Sequence, residues 1–208
     1  ATAKTSKPKL SPPTQIYGER RCGSNCRGFA LVFEDWVFIV ARLFLLMGVV
    51  VRELDVGSLA RERLGEAVTE LGVAEAFLSQ GLLRNAAGKA FQAWKAFISY
   101  IALRNVELLR EKYRGNKRVS SALVPMHEWV AAVAPTSRLM ELSTVLEKAI
   151  PGITELTAIA LELHEYQYNG PDPEGIRSKV PNDEVATALI RKLIERAREL
   201  ISKVAAES

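Results

Sequence analysis

His164 is followed at two-residue steps by Tyr166 and Tyr168, within LELHEYQYNGPDPEGIRSKVPND (residues 161–183). These residue types can do chemistry. An imidazole titrates near neutral pH and can act as a general acid or base, and a tyrosine offers a phenol or a flat face for stacking. The structural reading of the same residues is a helix-end histidine, hydrogen-bonded to Tyr168 one turn on, or to Glu165 and the loop. The tyrosines are then amphipathic rings that cover the end of a bundle. Asp172, Glu174 and Asp183 could suggest a cation site, but they are spread through a proline loop, where acids serve as caps and turn formers. Cys22 and Cys26 are half of a zinc site at most. No second ligand pair has the right spacing, and the other histidine, His127, is far away in sequence, so no metal and no cofactor is expected.

The elements that must position His164 are helical. Asn169-Gly170 ends one helix, Pro171 and Pro173 stiffen the connector, and Pro181-Asn182-Asp183 opens the next. Upstream, Asp55 and Ser58 are candidate caps for a helix with Leu59, Leu64, Ala67, Val68, Leu71, Ala74, Phe77 and Leu78 on its apolar face, ending near Gly81. Asn85 is a candidate cap for a second helix running toward Tyr113. Its stripe is Ala86, Ala90, Phe91, Trp94, Phe97, Ile98 and Ile101. The small residues Ala86, Ala87, Gly88, Ala90 and Ala93 invite close approach of another helix. Trp94, at this spacing, reads as core rather than as a ligand platform. Helices are further expected over residues 117–134, started or kinked near Pro125, and over 138–149, 154–166 and 183–204. The last carries Val185, Leu189, Leu193, Ala197, Leu200 and Val204 as its stripe. No stretch of the body alternates with period two, and no phosphate-binding glycine loop and no transferase or protease signature is present. The expected fold is all-α, an up-and-down bundle of five or six helices over residues 53–208.

Charge divides the chain. Of its 28 Lys and Arg, six lie in residues 1–28 with one of the 24 acids, and the remaining residues hold 22 basic and 23 acidic side chains. Residues 1–28 read as a basic disordered tail. The body lacks the uniform basicity of a dedicated nucleic-acid domain, which still leaves room for a local basic patch. Residues 29–52 are the most apolar stretch. Glu34, Asp35 and Arg42 interrupt it, which disfavours a spanning helix and leaves a buried or partner-binding segment as the main reading. Met47 begins a plausible natural start, so residues 1–46 could be an over-extended translation. The expected location is cytoplasmic.

Three segments resemble the archaeal PaREP family: RNAAGKAFQAWKAFISYIALRN (84–105), APTSRLMEL (134–142) and ALELHEYQYNGPDPEGIRSKVPNDEVA (160–186). These are small helical proteins abundant in thermophilic crenarchaea and similar in fold to HEPN domains. The resemblance covers roughly residues 53–205. It implies a HEPN-like bundle, paired as a homodimer, that binds RNA, a nucleotide or a toxin–antitoxin partner. Active HEPN ribonucleases carry an arginine separated from the histidine by four to six intervening residues. Here His164 and Tyr166 match the histidine-x-tyrosine part, whereas Thr157, Ala158 and Ile159 stand upstream where the arginine is expected. Phosphorane formation needs a charge to stabilise it, so catalysis requires a cation from another helix, with Arg104 and Arg138 as candidates. The expectation is a non-enzymatic interaction module. His164, Tyr166, Tyr168, Arg104 and Arg138 are its candidate ligand-binding residues. The alternatives are a ribonuclease using His164 and a membrane-attached helical protein.

Overall fold

Asp55 caps the first helix as its position suggests: its carboxylate accepts from the Ser58 backbone N–H at 3.0 Å. This is a computed structural model in which residues 55–120 and 122–206 are described. The tail over 1–28, the apolar segment over 29–52, Cys22, Cys26 and the Met47 start lie outside the described residues. Helix α1 runs Val56–Ser79 and buries Ala60, Ala67, Leu71 and Ala74. Val68, expected on that face, is 54% exposed.

Gly81 turns the chain at φ 71°, a conformation that favours glycine. Helix α2 then runs Leu83–Arg104. Leu82 takes the capping position without a side-chain hydrogen bond, so Asn85 lies inside the first turn rather than at the cap. Every residue from Ala96 to Leu103 is buried. A helix that is apolar all round belongs at the centre, and α2 does, packed against α1 and four later helices. The small residues expected to admit a neighbouring helix do so within the chain, where Ala86, Ala87, Ala90 and Ala93 are fully buried.

The second helix stops nine residues short of Tyr113. Asn105 folds back, its amide nitrogen donating to the Ile101 carbonyl at 2.9 Å, and a single turn, α3 (Glu107–Arg110), follows. Residues 117–124, expected to be helical, form most of a hairpin. Strand β1 (Asn116–Val119) pairs antiparallel with β2 (Ala122–Pro125), with Asn116 opposite Pro125 and Val119 opposite Ala122. Four residues per strand are too few for an alternating pattern to stand out. Pro125 ends the hairpin and immediately precedes α4 (Met126–Val133), so the expected start near Pro125 is where the helix begins. A 3-10 turn (Thr136–Arg138) leads into α5 (Leu139–Leu146), and α6 (Ile153–Asn169) and α7 (Asp183–Ala206) complete the bundle.

The fold is all-α, with seven helices and one small hairpin among the described residues. The deepest side chains of α7 are Ala186, Ile190, Leu193, Ile194, Ala197 and Ile201. Leu193 and Ala197 are buried as expected, and Leu189, Leu200 and Val204 pack partly buried against the core, whereas Val185 is 36% exposed. Trp94 is core: it is fully buried, and its indole N–H donates to the Thr157 hydroxyl at 2.9 Å, tying α2 to α6.

Candidate functional site

The C-terminal turns of α6 meet α2 where α2 has no side chain. A Cβ on Gly88 would stand 2.2 Å from Oε1 of Gln167. The space that glycine leaves holds the Gln167 carboxamide, whose Nε2 lies 2.7 Å from Nδ1 of His164. With the amide donating, the proton of the neutral imidazole sits on Nε2. Phe91, one helical step beyond Gly88, stacks under the imidazole at 4.1 Å between centroids and 27° between planes. Tyr168 meets the ring edge-on at 5.3 Å and 86°. The expected contact with Tyr168 is therefore aromatic, and the hydrogen bond goes to Gln167.

The surroundings disfavour the charged form of this histidine. Burial is the main cause that lowers its pKa, and the Lys95 ammonium adds to it against the opposing Glu165 carboxylate. Lys95 lies one turn beyond Phe91 on α2. Its own pKa is lowered, first by burial and then by Arg63 on α1, with Glu66 opposing. Arg63 pairs with Glu66 at 2.6 Å and keeps a buried Nε with no hydrogen-bond partner. Three helices thus contribute to one polar, half-buried corner.

Tyr166 is not part of that corner. Two residues along a helix turn a side chain by about 200°, and Tyr166 faces inward, 1% exposed, its hydroxyl donating to Asp183 Oδ1 at 3.0 Å. Burial and then the Asp183 carboxylate push its pKa up to about 12. It joins α6 to the start of α7. Tyr168 is the opposite case, with 68% of its surface exposed.

The model of the archaeal PaREP1/PaREP8 family matches residues 62–191, more than half of the chain. The chain belongs to the archaeal PaREP1/PaREP8 family. No curated protein and no solved structure matches it. The matched span of this PaREP1/PaREP8 member takes in Arg63, Gly88, Lys95, His164 and Tyr168 together.

The two arginines considered as a missing cation lie apart from His164. Arg104 ends α2, 13 residues beyond Phe91, or about 20 Å along the helix axis. Arg138 lies over the Tyr113 ring at 5.6 Å. The arginine at the α6 terminus is Arg84, which sequence reasoning passed over. Its Nε donates to the Gln167 carbonyl at 2.8 Å and a terminal nitrogen donates to the Tyr168 carbonyl at 2.5 Å. A cation on the last carbonyls of a helix complements its dipole, so Arg84 is engaged in holding the helix end.

Of the acids in and around the proline loop, Asp172 is the turn former, while Asp183 begins α7 and accepts from Tyr166. Asp172 accepts four backbone N–H groups, from Glu174, Gly175, Arg177 and Ser178, the shortest at 2.6 Å from Arg177. The Arg177 bond is the main cause that lowers its pKa. Asn182 caps α7 through Val185 N–H at 2.9 Å. Among the described residues of this PaREP1/PaREP8 chain, no three His, Cys, Asp or Glu side chains cluster as a metal requires, and no helix is long and apolar enough to cross a membrane.

Proposed function

We propose that this PaREP1/PaREP8 member is a non-enzymatic helical interaction module, HEPN-like and homodimeric, that holds single-stranded RNA or a nucleotide at the His164 corner. The observation that carries the reading is the pairing of an exposed ring with a fixed one. Tyr168 presents 68% of its surface to solvent beside an imidazole held by Phe91 and Gln167. Splayed bases stack on such aromatic rings. Lys95 supplies positive charge at the same corner, and Arg84, the arginine at the α6 terminus, is committed to carbonyls. A toxin–antitoxin or stress setting fits a module of this kind, with a protein partner as the other ligand class.

The test is fluorescence anisotropy with a labelled oligouridine. Tyr168→Ala is expected to weaken binding about tenfold, the loss of one stacked base. Unchanged affinity would remove Tyr168 from the site. Pairing is a separate expectation. It rests on the family resemblance alone, since the Ala86–Ala93 surface is consumed within the chain. Light scattering at micromolar concentration should give a dimer mass, and a monomer mass would refute it.

A further inference from the structure

The structure carries a second cluster of charge, in the segment that follows α2. Residues 110–118 hold Arg110, Lys112, Arg114, Lys117 and Arg118 against the single acid Glu111. The rest of the described chain holds 15 basic and 18 acidic side chains, so positive charge is concentrated in this one segment. Two of the five cations have nearby carboxylates: Glu107 pairs with Arg110 at 2.9 Å and Glu141 with Lys112 at 3.2 Å. Among the described residues, Arg114, Lys117 and Arg118 have no carboxylate within salt-bridge distance.

These three sit at the hairpin, and the hairpin displays them. All four residues of β1 are exposed. Successive strand residues face opposite sides. Lys117 lies over the Trp129 ring at 5.2 Å, which places a cation and an aromatic surface together. Arg118 is opposite Leu123, itself 62% exposed, and so occupies the other side of the ribbon. Arg114 spends Nε on the Glu111 carbonyl at 3.0 Å, and its remaining guanidinium donors are uncommitted to that bond. A short two-stranded ribbon carrying cations on both sides, with an aromatic ring at its base, matches a phosphodiester backbone. The apolar part of the tip, Val119 and Leu123, is too small for a membrane anchor.

We infer that the β1–β2 hairpin is a nucleic-acid backbone contact, made by Arg114, Lys117 and Arg118, distinct from the base-holding corner at His164. It rests on the proposed function only for the class of ligand. The backbone could belong to single-stranded RNA or to a duplex, and the binding assay has an arm for each.

The experiment measures affinity for oligouridine, and for a DNA duplex of equal length, across a salt series. Arg114→Ala/Lys117→Ala/Arg118→Ala is compared with the unaltered protein, and Arg114→Gln/Arg118→Gln keeps the Lys117–Trp129 contact in case the triple variant misfolds. Counterion release predicts that the slope of log affinity against log salt falls by about 2 for the single strand, or by about 3 for a duplex, when three phosphate contacts are lost. The double variant should show about two-thirds of that change. Loss of slope with one ligand identifies it as the source of the backbone. Tyr168→Ala should lower affinity and leave the slope unchanged. Slopes unchanged in both hairpin variants would overturn the inference while leaving the His164 reading intact. Absence of binding to either nucleic acid would overturn both, and binding confined to anionic phospholipid vesicles would overturn the hairpin assignment.

Discussion

Trp94→Ala is expected to lower the folding free energy by about 3–5 kcal/mol, the cost of emptying the space of a large core ring. The indole is fully buried and lies 5.7 Å from the Phe97 ring centroid. It also makes a specific polar link between the middles of α2 and α6, through the Thr157 hydroxyl. That hydroxyl donates to the Ile153 carbonyl at 2.8 Å, so truncation leaves its acceptor side buried and unpaired. Trp94→Phe keeps most of the volume and loses the hydrogen bond, which should cost about 1–2 kcal/mol from that bond and more from the missing ring. Urea unfolding followed by circular dichroism reads both. A loss under about 1 kcal/mol for the alanine variant would show that α2 and α6 do not depend on this contact.

The second large effect is alkaline. Tyr166 and Tyr113 both titrate at about 12, raised from 10.0 mainly by burial, with Asp183 and Glu141 adding to it. The folded state therefore holds each phenolic proton more tightly than the unfolded chain does. Their stabilisation is fully present below pH 10 and is lost as pH rises through about 12. Each group contributes on the order of 2 kcal/mol by this linkage. Tyr166→Phe should cost about 1.5–3 kcal/mol at pH 7, since the lost hydrogen bond ends on a carboxylate. It should also flatten the alkaline fall in stability by about half. Urea midpoints measured between pH 8 and 11.5 test this. A variant as stable as the parent at pH 7, with an unchanged alkaline slope, would contradict the role given to Tyr166.

The long helices were legible in sequence because they repeat one physical rule over many turns. The caps at Asp55 and Asn182 and the turn at Asp172 were legible because a short side chain bonds a neighbour in the chain. The hairpin was not, because four-residue strands carry too little pattern and the flanking Met126–Val133 helix extends the apolar spacing. Most of the α7 stripe was legible, but Val185 was misplaced and Ala186, Ile190 and Ile194 were passed over, because neighbouring apolar residues compete for the inward face and packing decides. At the site, His164 and Tyr168 were readable as a pair one turn apart. The opposite facing of Tyr166 follows from the same geometry, and the histidine-x-tyrosine pattern masked it. Lys95 and Arg84 were missed because their meaning arises only when α2 lies against α6, whereas Gly88 was legible as a place of close helix approach. The spacing of Gly88, Phe91 and Lys95 on one face of α2 was the available signal.

In the proposed module His164 is a held ring in a binding corner and not a catalyst. The direct measurement incubates purified protein with single-stranded RNA in chelator, following RNA length on a denaturing gel beside bound fraction by anisotropy. The predicted result is bound, intact RNA, with His164→Ala equally unable to cleave. Metal-independent cleavage by the parent protein that disappears in His164→Ala, while the melting curve stays unaltered, would contradict it.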